Sequence, residues 1–451
     1  MSEETRNVDR YSIVDLIALH LLVLALCLYQ LQYLFPLYKT YHLREIIFAY
    51  LYCRVAFRYP FPDHALFKLI TFFLTLALLI AIHTWYVTNS VVAVAGFTRF
   101  IHVALLAPLV ALIVFRESQV RSLIYTWMAV VVLGAITVFV QLLEFDLKWL
   151  LGAYSAPRGG LWRYKSLLGE PNVGGLAGVI FFILSIGCIN NRIVKMVCVG
   201  IAVFLVVFSL SKSALILLVG SGFVFILLAS WKWFSFRDLI FVREIFVSLL
   251  GALVWLIFIN SFPLGGKYIS VGVMALFGAD VETPSALLDL KNRMQFEFYG
   301  PIKADKESPS ALLEAGGFMH SLFGQSFATV MHSLFGQSFA RAGSAATDLG
   351  IQNAFLPHNM YLELFMVGGL LLLGIFSAIL CIGGYVMGKR LLFQKTISGM
   401  LIIPLLIVVL YMLGYPNVYE PITGTILWLA LGAACCRLLP ESRVVCCRSG
   451  T

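Results

Sequence analysis

The chain has 451 residues, 61% of them hydrophobic and 12% charged, with a formal net charge of +9 and a mean hydropathy of +0.93. Globular domains average about 25% charged residues, so this composition excludes a soluble globular protein and points to a polytopic membrane protein. The basic excess, 32 Lys and Arg against 23 Asp and Glu, reads as membrane topology rather than as nucleic-acid binding.

A spanning helix needs about 20 mainly apolar residues. Taken in order, apolar runs predict spans near 13–35, 66–87, 91–115, 122–143, 172–190, 193–210, 213–231, 243–262, 358–387, 396–414 and 421–439. The segment MSEETRNVDRYS ahead of the first run has no cleavage pattern, so that run is expected to stay as a helix. A shorter run at 44–58 brings the total to about twelve. Charge favours counting it: with the N-terminus inside, Arg54, Arg58, Arg116, Arg121, Arg192, Lys195, Lys389, Arg390 and Arg437 all fall on the inner side, close to helix ends. The outer turns near Thr88 and Asn417 carry no Lys or Arg, whereas Lys39 and Arg44 in the first outer turn run against the rule.

The expected organisation is therefore all-α. Residues 1–262 form a membrane bundle with an outer loop at about 144–171, and 263–357 form a large outer loop between the ninth and tenth helices. Residues 358–451 hold the last three helices and an inner tail. Within the large loop, Pro284 and Pro309 each open a segment with periodic apolar residues, which reads as a short amphipathic helix. The segment Met319 to Ala328 recurs unchanged as Met331 to Ala340, a local duplication and not a solenoid. His320 and His332 repeat with it, and no acidic or Cys ligand accompanies either, so no metal site is expected. The nine cysteines show no metal-binding or C-x-x-C spacing and lie outside the two large loops, which argues against disulfides and thiol chemistry.

Several segments carry candidate chemistry. Arg158, Arg163, Tyr164 and Lys165 lie in the first large outer loop with Trp162. Arg presents a planar fork suited to phosphate oxygens, and the aromatics fit an interface or the face of a sugar. The competing reading is an interfacial anchor on lipid headgroups. Lys212, within Ser211-Lys212-Ser213, either adds positive charge to the same outer region or snorkels. Arg293 follows the first amphipathic segment of the large loop, as a phosphate clamp or as part of a solvated helix face. Pro357 places His358 and Asn359 in the opening turn of a long apolar helix, where free N–H groups favour an anion and a neutral imidazole. The plain alternative for His358 is a cap residue without chemistry. Arg99 and His102 share one helix face within a span, and His20 and His83 also fall in spans. They either pack against another helix or mark a pathway.

Together these residues resemble the O-antigen ligase and Wzy-type O-antigen polymerase superfamily of bacterial cell-envelope glycosyltransferases. Arg163-x3-Leu167 matches the ligase Arg-x3-Leu pattern, and Gly169-x-Pro171-Asn172 looks like the family's helix entry. Arg163 also precedes Gly174 with the spacing of the polymerase Arg-x10-Gly pattern. His358-Asn359 followed by Gly369 resembles the His-(Asn/Ser/Gln)-x9-Gly motif, although Leu372 stands where Gly, Thr or Tyr is usual. Lys212 replaces the Arg of the family's Ser-Arg segment. The similarity covers about 160–375.

The resemblance implies a GT-C-like, all-helical membrane fold in the bacterial inner membrane, with its site on the periplasmic side. It implies a glycan donor on undecaprenyl pyrophosphate and an acceptor hydroxyl on a second glycan or on lipid A-core. A flippase and a chain-length regulator of the same pathway are the implied partners besides the bilayer. The resemblance implies no metal or cofactor, because pyrophosphate is already a good leaving group. On this basis His358, Arg163 and Arg293 are the expected catalytic residues, and Arg158, Tyr164, Lys165, Lys212 and Asn359 the expected substrate contacts. Polymerase is slightly favoured over ligase, and a lipid-linked oligosaccharide flippase is the rival from another class.

Overall fold

The computed structural model describes residues 3–28, 43–56, 62–88, 101–143, 145, 147, 164–209, 211–230, 360–394, 396–413 and 421–436. These residues form a helical bundle. No strand occurs among them beyond one isolated bridge between Ser166 and Gly169.

The helices in chain order are α1 (Glu3–Cys27), α2 (Leu43–Ala56), α3 (Ala65–Thr88), α4 (Leu106–Ile113), α5 (Glu117–Leu142), α6 (Pro171–Cys188), α7 (Arg192–Ser209), α8 (Lys212–Ser230), α9 (Met360–Lys389), α10 (Ile397–Met400), α11 (Ile402–Tyr411) and α12 (Pro421–Cys435). Among the described residues five stretches are long and apolar enough to cross a membrane: Ala65–Ile82 within α3, the whole of α5, α6 and α7, and Gly368–Gln394, which begins in α9.

Several elements depart from the hydropathy pattern. The first helix begins at Glu3, well before the apolar run at 13. The run at 44–58 is a helix of 14 residues, shorter than the roughly 20 a straight span requires. The run at 396–414 is two helices, α10 and α11, joined at Leu401. The end of α9 passes into a π-turn at Arg390–Gln394. The span at 243–262, the large loop 263–357 with its two expected amphipathic starts and its duplication, and the tail beyond Cys436 lie outside the described residues.

Two helices form the centre. Every residue of α12 is buried, and nearly all of α6 is. Around α12 pack α1, α4, α5, α6, α9 and α11. Small residues permit this closeness. A Cβ on Gly432 would lie 2.6 Å from the Ala107 carbonyl oxygen of α4, and one on Gly178 would lie 2.9 Å from the Ala202 carbonyl oxygen of α7. Trp428 of α12 meets Phe73 of α3 and Phe376 of α9, with ring centres 6.0 and 6.3 Å away. Trp127 of α5 donates its indole N–H to the Ile422 carbonyl at 2.8 Å.

The outer helices are one-sided. In α1, Asp15, Leu19, Leu22 and Leu26 are buried while Ile13, Ile17 and Leu21 are exposed, the helical period of a single inward stripe. The exposed side is apolar, as a bilayer-facing surface requires. Asp15 is fully buried and pairs with Arg54 of α2. His102 pairs with Glu45 of α2 at 3.3 Å and stacks on Phe48, so of the two roles open to it the structure shows packing against a neighbouring helix. His20 bonds Thr126 and Ser122 of α5 through its two ring nitrogens, at 2.6 and 3.1 Å.

Glu117, at the start of α5, accepts from the Ser398 hydroxyl at 2.5 Å and the Ser398 N–H at 3.0 Å. Arg390 donates to the carbonyls of Ala433 and Cys436 at 2.6 and 2.7 Å, closing the last turn of α12. These contacts tie together one end of the bundle. The end of α5, the starts of α6, α8 and α9, and the end of α11 meet at the other.

Candidate functional site

The site is built on a tight turn, Ser166-Leu167-Leu168-Gly169. Its two ends exchange backbone hydrogen bonds of 3.2 and 3.0 Å, and the Ser166 hydroxyl accepts from the Leu168 N–H at 3.1 Å. Gly169 has φ 106, a left-handed value that a side chain would strain. Two polar residues one turn apart near the end of α5 clamp this turn. Thr137 Oγ1 accepts from the Leu167 N–H at 3.2 Å, and Gln141 Nε2 donates to the Lys165 carbonyl at 2.7 Å. Gln141 Oε1 has no hydrogen-bond partner among the described residues. Leu168 fills the space above Gly134, where a Cβ would come within 2.4–2.8 Å of three of its side-chain carbons.

The turn delivers the chain into α6. Glu170 is extended, with φ −61 and ψ 150, and Pro171 occupies the first helical turn. A residue before proline is restricted to such conformations, and proline is favoured at that helical position. Lys165 Nζ lies 3.9 Å from Glu170 Oε1, with Lys165 largely covered and Glu170 exposed.

The junction of α7 and α8 packs against the same helix start. Ser209 Oγ would lie 2.4 Å from a Cβ on Gly175. Ser209 donates to the Val206 carbonyl at 2.7 Å and accepts from the Ser211 N–H at 3.2 Å. Ser211 Oγ in turn accepts from the Ala214 N–H at 3.4 Å, capping α8. The entries of α6 and α8 are thus neighbours. First-turn N–H groups have no acceptor within their own helix, and helix starts carry partial positive charge. Two such starts bring partial positive charge to this end of the bundle, with the Lys165–Glu170 pair at the entry of α6.

Between the turn, the start of α6 and the end of α7 lies a small open notch of about 10 Å³, room for about one water. Tyr164, Ser166, Pro171, Gly174, Phe208 and Ser209 are among its lining residues. Small-molecule pockets are usually about 300–1,000 Å³, so the described residues hold a recess far smaller than a substrate-sized chamber.

The start of α9 reaches the same end. The Tyr361 hydroxyl donates to the Val409 carbonyl of α11 at 3.0 Å. Two residues on, the Tyr411 hydroxyl donates to the Asn172 carbonyl at 3.3 Å and lies 3.5 Å from Ser211 Oγ. Within α9, Gly369 takes φ 64 and ψ −163 and kinks the helix. This conformation is essentially restricted to glycine, which gives the last glycine of the His-Asn-x9-Gly pattern a physical role.

Of the residues expected from sequence, Tyr164 and Lys165 stand at this end, and Lys212 opens α8 there. The Lys212 side chain, and Arg158, Arg163, Arg293, His358, Asn359 and Arg99, lie outside the described residues, as does the side chain of His83. Met360 is the first described residue after His358-Asn359. Sequence reasoning did not single out Thr137, Gln141 or Tyr411, and Ser209 entered only as the first residue of the segment around Lys212. The spacing of Thr137 and Gln141, polar and four apart on an apolar helix, was the available signal. Comparison of the chain with protein-family models, curated proteins and solved structures finds no match.

Proposed function

We propose that the chain is a membrane glycosyltransferase of about twelve spans with a GT-C-like bundle, working at the periplasmic face of a bacterial inner membrane. Its donor is a glycan on undecaprenyl pyrophosphate, and its acceptor is a hydroxyl of a second lipid-linked glycan, so the product is a lengthened polysaccharide. The observation that supports this reading is the meeting, at one end of the bundle, of the Gly169-x-Pro171-Asn172 entry, the Ser211-Lys212 entry and the first described turn of the helix that follows His358-Asn359.

The reaction follows from that chemistry. The acceptor oxygen attacks the anomeric carbon of the donor, and the bond from that carbon to the pyrophosphate oxygen breaks. Undecaprenyl pyrophosphate leaves with the bonding electrons, and the acceptor proton passes to His358. Arg163 and Arg293 hold the pyrophosphate, helped by Arg158, Lys165, Lys212 and the α6 and α8 entries. A well-placed donor to a developing charge contributes about 3–4 kcal/mol, and a general base about 10²–10⁴-fold. Tyr164 and Asn359 contact the sugar.

The test is glycan profiling by gel in a deletion strain complemented with wild type, Arg163→Ala or His358→Ala. Single repeat units in place of a ladder, with normal protein levels, are expected for both variants. Full-length polymer stranded on its carrier would instead identify a ligase that transfers to lipid A-core. Lipid-linked units held on the cytoplasmic face would identify a flippase and remove the catalytic roles.

A further inference from the structure

We propose that Tyr411 is a positioning residue of this site, whose hydroxyl holds the entries of α6 and α8 in register. The inference rests on the glycosyltransferase reading above.

Tyr411 is buried, at 6% exposure, and so is Ser211, at 7%. The proton directions between them follow from their neighbours. A carbonyl only accepts, so the Tyr411 hydroxyl donates to Asn172. The phenol oxygen then accepts, and the Ser211 hydroxyl supplies the proton. This leaves a Ser211 lone pair for the Ala214 N–H, as the α8 cap requires. The resulting relay runs from the cap of α8, through one phenol oxygen, to the second residue of α6.

The contacts, at 3.3 and 3.5 Å, are long for O–H···O pairs. Their part in global stability is therefore small, and the buried ring supplies the packing. Their consequence is geometric. One residue sets the spacing of the two helix starts that face the anion, and two residues before it Val409 receives the Tyr361 hydroxyl from the first turn of α9. Tyr411 touches neither Lys165 nor Lys212 in these contacts and acts through the backbone that carries them.

Phenylalanine separates the two roles, because it keeps the ring and removes the hydroxyl. The experiment measures the rate at which membranes bearing each variant consume the lipid-linked glycan extracted from the deletion strain, per folded molecule counted by fluorescence size-exclusion chromatography. Tyr411→Phe is expected to fold at wild-type levels and to lose about fivefold in rate, the equivalent of one hydrogen bond. Ser211→Gly removes the other hydroxyl and leaves capping nearly intact; it is expected to lose a similar factor. The double variant is expected to lose no more than either single one, since partners in one relay are not additive. If Tyr411→Phe turns over at the wild-type rate while Arg163→Ala and His358→Ala are inactive, Tyr411 only packs and the enzymatic reading stands. If the double variant loses the product of the single losses, the hydroxyls act separately and the relay is wrong. If Arg163→Ala and His358→Ala are fully active, the reading of the site falls and this inference falls with it.

Discussion

The seat of Leu168 on Gly134 lets the link between packing and the candidate site be tested with two substitutions. Gly134→Ala places a methyl group 2.4 Å from Leu168 Cγ and 2.8 Å from both Cδ atoms. All three outer carbons of the side chain are too close, so a χ2 flip alone does not clear the clash, and Leu168 must either swing about χ1 out of the space it fills or shift together with its turn. Its backbone belongs to the turn closed between Ser166 and Gly169, which is itself held to α5 through Thr137 and Gln141. Overpacking of this kind costs about 1–3 kcal/mol. Leu168 is 3% exposed, and Leu168→Ala alone leaves a cavity at a cost of about 2–5 kcal/mol. In the pair Gly134→Ala with Leu168→Ala, the added methyl occupies part of that cavity and the clash disappears. The double variant is therefore expected to be more stable than the sum of the single effects by about 1–3 kcal/mol, within the range found for residues in contact. The assay is the midpoint for heat-induced loss of the monodisperse peak of detergent-solubilised fusion protein, with glycan product scored in parallel. Gly134→Ala should lower both, because Tyr164 and Lys165 ride on the displaced turn. A neutral Gly134→Ala, or strict additivity in the double variant, refutes the packing argument.

Two further outcomes are expected. Gly369→Ala puts a side chain where φ is 64 and ψ −163, at a cost of about 1–3 kcal/mol, so the α9 kink should straighten and the glycan ladder shorten; an unchanged ladder and thermal midpoint would remove the kink from the mechanism. Arg390→Lys replaces a fork that reaches the Ala433 and Cys436 carbonyls together with a point charge able to keep one of them; the thermal midpoint should fall by the equivalent of about 1.5–3 kcal/mol, while product per folded molecule holds, since Arg390 lies nearly the full length of α9 from Tyr361.

The candidate site was partly legible. Pro171 belonged to the segment resembling a Gly-x-Pro-Asn helix entry, Tyr164 and Lys165 stood out among the cations and aromatics of the first large outer loop, and Lys212 as a cation at the boundary of two apolar runs. Thr137, Gln141 and Tyr411 did not, because a hydroxyl or amide inside an apolar run also fits a side chain bonded to its own helix. Thr137 and Gln141 do make such bonds, to the Gly134 and Thr137 carbonyls, in addition to the ones that matter for the turn. The role of Tyr411 depends on Asn172 and Ser211, both far away along the chain, and no local spacing encodes such a contact.

The sequence by itself determined that the chain is helical and apolar, because a backbone surrounded by hydrocarbon satisfies its N–H and C=O groups within a helix. The Gly169-x-Pro171-Asn172 segment also marked the start of α6, whereas the starts read at Pro284, Pro309 and Pro357 lie outside the described residues. Only the tertiary structure decided which helices are central. Hydropathy is nearly uniform around α6 and α12, so it marks no inward face there. The choice fell to fit: glycines at 178 and 432 let α6 and α12 approach neighbouring backbones to within van der Waals contact. The run at 396–414 is two helices and α9 bends at Gly369, neither of which hydropathy marks. Those are properties of shape between neighbours, and hydropathy along a single chain carries no record of them.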